Sequence, residues 1–150
     1  MTRQFLNGTV TRSITAKVSP QRAWRRLSDI GNLAKWIIGI EKCVITSKKR
    51  KGIGVTRLIT FDDGFMIEEQ IVTWNQGKSF SYLVIGKDLP FRAYFATLSL
   101  KPLGKTLTKV TWAGYIGTNN LTKSKFKKTI AKYDSLYKNS LPRLKLLIEQ

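Results

Sequence analysis

The side chains that could act chemically on a ligand include two carboxylates in the segment FMIEEQIVTW. Glu68 and Glu69 are adjacent, so on a strand they point to opposite faces. Ile67, Glu69 and Ile71 share one face, and the two isoleucines favour Glu69 as the inward carboxylate. Burial raises the pKa of a carboxyl group unless a cation lies beside it. An inward Glu69 could therefore anchor a polar group of a ligand or act as a general base.

A purely structural role for Glu69 is the favoured alternative. In that role it forms an ion pair with Arg12 or Arg57, or lies partly wet near the end of its strand. Arg12 and Arg57 are also polar candidates for the interior of a cavity, together with Tyr82 and Tyr94.

Residue types that the sequence lacks exclude several kinds of chemistry. The chain has 150 residues, no His and one cysteine, Cys43. Ser-His and Cys-His mechanisms are therefore excluded, and so are an intrachain disulfide and a cluster of thiolate metal ligands. We assign no catalytic residue and expect no cofactor and no metal site. The segment MTRQFLNGTV lacks the apolar run of a signal peptide, so we expect a cytoplasmic protein.

The net charge of +18 is concentrated in the first and last thirds of the chain. Two dense basic patches, Lys48–Lys51 and Lys123–Lys132, account for much of it. A field of this sign attracts polyanions and anionic membranes, so an anionic membrane surface is one candidate partner and a nucleic acid a less favoured one. The favoured alternative is that both patches are solvated surfaces on a hairpin and a helix.

The first elements that would position these groups are a strand and a pair of short helices. Residues 9–18 alternate between apolar and polar types, which predicts a half-buried strand, although Arg12 interrupts the apolar face. Ser19 and Pro20 are typical of a helix start, and they predict a helix over residues 20–29. Asp29 could cap a second short helix that ends near Trp36.

Six further strands with short connections are predicted next, which indicates an antiparallel meander. In residues 37–46 and 79–85, the pattern does not decide which of the two alternating sets of side chains faces the interior. A slip of one residue would turn every side chain there to the other face. The predicted strand segments are WIIGIEKCVITS, GIGVTRLITF, FMIEEQIVTW, SFSYLVIG, RAYFATLSLKPL and LTKVTWAGYIGT, with a loop at residues 87–90.

The last segment predicts one long helix. From Phe126 to Ile148, apolar residues recur at steps of three and four, as on one helix face of about 28 residues that Asn120 or Thr122 can cap. Pro142 falls inside this pattern, so we expect a kink near residues 138–142, or a new final helix that begins at Ser140.

These elements predict an α+β fold in one domain over residues 1–150, a seven-stranded curved antiparallel sheet that wraps around the C-terminal helix. A curved sheet that grips one helix leaves a space that large side chains fill or a ligand occupies. Large aromatic residues argue for partial filling. The residues that we predict to contact a ligand are Trp36, Ile38, Ile40, Leu58, Ile67, Glu69, Ile71, Tyr82, Val84, Tyr94, Ala96, Leu98, Trp112, Phe126, Ile130 and Tyr133.

The order of these segments resembles the START-like superfamily, also called SRPBCC, and within it the polyketide cyclase and lipid-transport group. The resemblance implies a helix-grip fold and also favours Glu69 as a cavity residue. Members bind lipids, sterols, hormones or polyketides, or catalyse quite different reactions, so no single activity is implied. The segments that carry the resemblance are VTRSITAKVSP, AWRRLSDIGNLAKW, GIGVTRLITFDDGFMIEEQIVTW, FSYLVI, LPFRAYFATLSLKPLGKTLTKVTW and SLPRLKLLIEQ.

The leading hypothesis is binding or transport of a small hydrophobic or amphipathic ligand between the sheet and the C-terminal helix. An enzyme of the cyclase or dehydratase type, which would use Glu69 or a tyrosine, is the alternative. A third hypothesis is a basic protein that docks on an anionic membrane or a nucleic acid.

Overall fold

Residues 4–86 and 93–150 are described by the computed structural model, and they form strands and helices in the predicted order. The loop predicted at residues 87–90 lies outside the described residues. The elements are β1 (Leu6–Ala16), α1 (Pro20–Leu27), a 3-10 turn (Leu33–Lys35), β2 (Ile40–Ile45), β3 (Thr56–Phe61), β4 (Met66–Asn75), β5 (Ser79–Ile85), β6 (Ala93–Gly104), β7 (Leu107–Thr118) and α2 (Lys123–Ile148).

The seven strands form one antiparallel sheet in the order β1-β7-β6-β5-β4-β3-β2. Strands β2 to β7 are a meander, as predicted, and β1 closes the far side against β7. Because the strands alternate in direction, the β2–β3, β4–β5 and β6–β7 turns share one end of the sheet with α1. We call this the turn end. The β3–β4 hairpin and the start of α2 lie at the opposite end.

The first helix begins as its sequence predicts. The Ser19 side chain accepts a hydrogen bond from the Arg22 backbone N–H at 3.3 Å, and Pro20 occupies the first turn. The predicted second helix is only a 3-10 turn, and its N-cap is Asn32 rather than Asp29. Asn32 makes no capping bond there, since its amide donates to the Arg26 carbonyl at 3.1 Å.

Arg12 lies on the inner face of β1 without a bulge, because β1 pairs with β7 in unbroken register. Its Nε and Nη2 donate to the two carboxylate oxygens of Asp134 on α2, at 2.8 and 2.7 Å. Both side chains remain about 40% exposed, so solvent screens the pair. The hydrogen bonds from Arg12 lower the pKa of Asp134. Arg12 thus serves to fasten α2 to the sheet edge.

Helix α2 spans 26 residues, about 39 Å at the usual rise, and crosses the inner face of the sheet. Thr122 is its N-cap and accepts from the Lys125 N–H at 3.2 Å. The helix continues through the exposed Pro142, so the alternative of a new helix beginning at Ser140 is wrong. Ser140 is buried, and its Oγ accepts from the Ile38 N–H at 3.0 Å. The kink near residues 138–142 stays a prediction.

Neither helix in the described part of the chain combines the length and the apolar character needed to cross a bilayer.

The core has two aromatic groups under the two helices. Under α1, Trp24 meets Trp74 edge-on with ring centroids 5.3 Å apart, and Phe80 packs beside both. Under α2, Trp112 stacks on Tyr137 at 3.6 Å and nearly in parallel, while Trp36 meets Trp112 edge-on at 5.0 Å. The core therefore anchors each helix to the sheet through ring contacts.

Helix α2 approaches β7 closely because Gly114 has no side chain. A Cβ built on Gly114 would overlap the hydroxyl of Tyr137, which is hydrogen-bonded to the hydroxyl of Tyr94. Tyr137 is fully buried at this crossing. The glycine is therefore required by the contact between helix and sheet.

Substituting Gly114→Ala should lower the free energy of unfolding by about 1–3 kcal/mol, because the added methyl displaces Tyr137 in a close-packed core. Denaturant titration followed by circular dichroism measures the change. Gly104→Ala is the matched control, since its added Cβ meets only Leu107 at an ordinary 3.9 Å. We expect Gly104→Ala to change stability by less than about 0.5 kcal/mol. Equal effects of the two substitutions would contradict the packing argument.

Candidate functional site

A cavity of about 770 Å³ lies between the inner face of the sheet and α2. Most of its lining side chains are apolar, and they come from the segment before β2, from β2 to β7 with the β3–β4 hairpin, and from α2. Its exposed lining residues mark the opening, which we call the mouth. The mouth consists of Ile38, Asp62, Asp63, Phe65, Lys132, Ser135 and Asn139.

A buried ion pair forms part of the wall behind the mouth. Arg57 on β3 and Glu69 on β4 are direct cross-strand neighbours, and their side chains are 1% and 5% exposed. Arg57 Nε donates to Glu69 Oε1 at 3.0 Å, and Nη2 lies 2.8 Å from the same oxygen. Arg57 Nη1 donates to the Ile30 carbonyl at 2.8 Å. The pair that was the favoured alternative for Glu69 is therefore present, with Arg57 and not Arg12 as the partner.

Glu69 also lines the cavity, whereas Arg57 does not. The bonds from Arg57 all go to Oε1, and within the described residues Oε2 accepts no hydrogen bond. Burial raises the pKa of Glu69, and the opposing attraction of Arg57 does not cancel that effect. The arrangement can therefore offer a ligand a carboxylate oxygen, or a proton from the neutral acid.

Buried phenols and indoles form the wall beside this pair. Trp112 Nε1 donates to the Tyr82 hydroxyl at 3.0 Å, and the Arg57 guanidinium lies 4.8 Å from the centre of the Tyr82 ring. Burial raises the pKa of Tyr82 and Tyr94, and raises that of Tyr133 to about 12. These phenols consequently stay neutral near pH 7 and can act only as hydrogen-bonding groups. Nowhere in residues 4–86 or 93–150 do three potential metal ligands of the carboxylate, thiol or imidazole type come together.

Nine of the residues predicted to contact a ligand do line this cavity. They belong to the segment before β2, to β2, to β4 to β7 and to α2, so the expected enclosure by sheet and helix is present. These nine are Ile38, Ile40, Ile67, Glu69, Tyr82, Val84, Tyr94, Trp112 and Tyr133.

The other seven predicted residues do not line the cavity, for three different reasons. Leu58 faces outward, since its neighbours Arg57 and Ile59 take the buried positions of β3. Four residues are buried in the surrounding core, namely Trp36, Ile71, Ala96 and Leu98. Phe126 and Ile130 pack against Gly8 on β1, because they lie on the first turns of α2 at the sheet edge.

Strand β2 begins later than its apolar pattern predicts. Ile38 precedes the strand and is 41% exposed at the mouth. A bulge between Ile40 and Lys42 then shifts the pairing with β3 by one residue. As a result Ile40 and Cys43 are both turned inward although their spacing is odd. This resolves the parity that was ambiguous over residues 37–46.

Sequence reasoning missed most of the mouth. The sequence predicts Asp62-Asp63-Gly64 only as a short connection between strands, and it predicts Ile59, Phe61 and Phe65 only as residues of ordinary strands. On α2 a usable signal existed, because the missed residues lie three or four positions apart on the face that carries Tyr133. The missed lining residues are Leu33, Ile37, Gly39, Ile59, Phe61, Asp62, Asp63, Phe65, Leu121, Thr129, Lys132, Ser135, Leu136 and Asn139.

Comparison with known sequences gives one match over nearly the whole chain. A family model described as polyketide cyclase / dehydrase and lipid transport matches residues 7–149. No curated protein matches the chain in sequence.

Solved structures share the fold at low sequence identity. An uncharacterised protein from Bacillus thuringiensis has a TM-score of 0.78 at 19% identity, and the match covers 95% of this chain and 100% of that one. The protein XoxI from Bacillus cereus has a TM-score of 0.78 at 20% identity, with 94% and 95% covered. A Thermobifida fusca protein has a TM-score of 0.75 at 15% identity, with 93% and 92% covered.

The raised pKa of Glu69 predicts a specific pH dependence of stability. Neutral Glu69 contributes stability that is present below about pH 4.5 and is lost as the pH rises through the raised pKa of the folded state. As the pH rises above 4.5, we therefore expect the stability of Glu69→Gln to increase relative to that of the native chain. The total increase should be about 1.4 kcal/mol for each unit by which folding raises the pKa of Glu69. Denaturant titrations across this pH range measure the difference.

Glu68→Gln is the matched control, because Glu68 lies on the outer face of the same strand and is only partly buried. Its stability should follow that of the native chain at every pH. A difference between Glu69→Gln and the native chain that stays constant or reverses with rising pH would contradict the assignment.

Proposed function

The chain belongs to the polyketide cyclase / dehydrase and lipid transport family, and we propose that it binds a small hydrophobic or amphipathic molecule in its cavity. The observation that carries the proposal is the mostly apolar space of about 770 Å³ between the sheet and α2, with one buried carboxylate, Glu69, in its wall. This size falls within the range of about 300–1,000 Å³ that is usual for small-molecule sites.

The apolar walls would supply most of the affinity. Ile59, Ile67 and Val84 line the space from the sheet, and Leu136 lines it from α2. Removal of apolar ligand surface from water contributes roughly 25 cal/mol for each Å² buried. A molecule with an extended apolar body is therefore the class of ligand that these walls favour.

The polar groups would orient the ligand. Glu69 Oε2 can accept a hydrogen bond from a ligand hydroxyl, while Arg57 holds the other carboxylate oxygen in place. A hydrogen-bond acceptor in an apolar wall favours ligands with a donor over ligands without one, because a ligand that lacks the donor leaves a buried oxygen unpaired. The proposed ligand thus carries a hydroxyl or another donor at the end that enters first.

A second candidate function is that of a cyclase or dehydratase. The observation that favours it is the raised pKa of Glu69 in a site with neutral phenols. Ionised Glu69 would take the α-proton of a β-hydroxy ketone. The β-hydroxyl would take that proton from the now neutral Glu69 and leave as water, so that a conjugated enone and ionised Glu69 would remain. Tyr82, which lines the same wall, would polarise the ketone.

Blocking the cavity tests the binding proposal. Leu136→Trp places a larger ring in the lining, so affinity for an environment-sensitive lipophilic dye should fall at least about tenfold, as expected when an overfilled site excludes its ligand. Dye fluorescence titration measures the affinity, and native mass spectrometry of gently purified protein detects a ligand that is carried along.

Leu146→Trp is the matched control, since Leu146 is 65% exposed on the same helix. It should bind the dye as the native chain does. The proposal fails if the native chain takes up no dye and carries no ligand, or if Leu136→Trp binds as tightly as the native chain while retaining the native circular dichroism spectrum.

The enzyme hypothesis makes a separate prediction. If it holds, a β-hydroxy ketone that the native chain dehydrates should be left unchanged by Glu69→Gln and by Tyr82→Phe, because each loses a proton-transferring or polarising group. Ultraviolet absorbance of the enone measures turnover, and the dye titration verifies that both variants still bind. Full turnover in both variants would remove these roles without affecting the binding proposal.

A further inference from the structure

The turn end of the sheet carries a concentration of exposed positive charge. The β2–β3 turn contains Lys48–Lys51, and the β6–β7 hairpin contains Lys101 and Lys105, all exposed. Helix α1 adds exposed arginines at the same end, among them Arg22 and Arg25. These elements are brought to one end by the meander, although Lys101 lies 50 residues after Lys51 in the sequence.

Negative charge is sparse at this end. Within the described residues, Asp29 and Glu149 are the carboxylates there, and Glu149 already accepts from the Lys17 backbone N–H at 2.6 Å. The acidic hairpin that contains Asp62 and Asp63 is at the opposite end, on the mouth. The turn end therefore presents nearly unopposed positive charge to an approaching surface.

Exposed apolar side chains project from two of the turns amid these cations. Ile53 is 55% exposed in the β2–β3 turn, two residues after Lys51. Leu103 is 48% exposed in the β6–β7 hairpin, between Lys101 and Lys105. Insertion of an apolar side chain flanked by lysines is favourable at a bilayer surface, because the acyl chains bury the apolar group and the anionic headgroups attract the lysines.

A small cleft lies at this end between α1, with the segment that follows it, and the β2–β3 turn. It has a volume of about 360 Å³ and is lined by Arg25, Arg50 and Lys51, with Asp29 also in its wall. Arg50 is held toward the strand because its Nη1 donates to the Ile45 carbonyl at 3.1 Å. The three cations outnumber the one carboxylate around this cleft, so it can attract a phosphate group.

We propose that the turn end docks on an anionic phospholipid bilayer, with Ile53 and Leu103 inserted among the headgroups and the cavity mouth directed away from the membrane. A bilayer is favoured over a nucleic acid because the exposed aromatic rings of the described residues, Phe5 and Phe65, lie at the opposite end. Single strands are bound on such rings by stacking. At the turn end, Trp74 is only partly exposed and already packs against Trp24 and Phe80.

Vesicle co-sedimentation tests the proposal. The native chain should bind vesicles of equimolar phosphatidylcholine and phosphatidylglycerol, and not vesicles of phosphatidylcholine alone. Lys48→Glu with Lys49→Glu should weaken this binding at least tenfold, because each basic residue near an anionic surface contributes about fivefold. Ile53→Ser with Leu103→Ser should also weaken it, at unchanged charge.

Lys125→Glu with Lys128→Glu is the matched control, since both residues are exposed near the start of α2, away from the turn end. This pair makes the same charge change and should bind vesicles within about threefold of the native chain, less than one fivefold contact. None of the substituted residues lines the cavity, so a failure of the cavity proposal would not affect this one.

Three results would overturn the proposal. The first is equal binding of the native chain to neutral and anionic vesicles, or to neither. The second is an equal loss of binding in the two charge-reversal pairs. The third is native-like vesicle binding by Ile53→Ser with Leu103→Ser, together with displacement of the native chain from vesicles by a uridine oligonucleotide, which would indicate a nucleic acid as the partner.

Discussion

The width of the sheet relative to the helix that covers it is the constraint on which this structure depends. Seven strands about 4.8 Å apart span about 30 Å, whereas a helix with its side chains is about 10 Å across. Helix α2 can therefore cover only part of the inner face, even when the sheet curves around it. Helix α1 covers a second part through Trp24. The cavity remains where neither helix packs directly on the sheet, and it is lined by the sheet on one side and by α2 on the other.

Within that constraint, the alternation of inward and outward side chains along β3 and β4 places two charged groups inside the molecule. Arg57 and Glu69 occupy opposed inward positions of β3 and β4, so neither can reach solvent without a change of register. Two desolvated charges cost several kcal/mol each, and their attraction offsets this cost only when further polar groups are satisfied. The Ile30 carbonyl supplies one such bond. It belongs to the segment that follows α1, so the ion pair also fixes the backbone that leads to the mouth.

Local patterns predicted the fold well because apolar residues recur along each element at the spacing typical of a strand or of a helix. Alternation over Thr9–Val18 and the apolar stripe from Phe126 to Ile148 needed no knowledge of neighbours. Glu69 was placed inward by its two neighbouring isoleucines together with the family resemblance. Site residues were predicted where that regularity persisted. Leu58 was misplaced because its outward position is decided by the pairing of β3 with β4. The part of the mouth in the β3–β4 hairpin was missed because turns have no periodicity to extrapolate.

The contact between Gly114 and Tyr137 has a consequence for how this sequence can diverge. A side chain at position 114 and a phenol at position 137 compete for one space, so each position restricts what the other can become. A lineage that drifts toward a larger residue on β7 must first lose the ring on α2, and with it the stack on Trp112. The order of the two changes is thereby set by sterics. Divergence should consequently be faster at the outward-facing positions of β7 than along this seam, and the two residues should change as a pair.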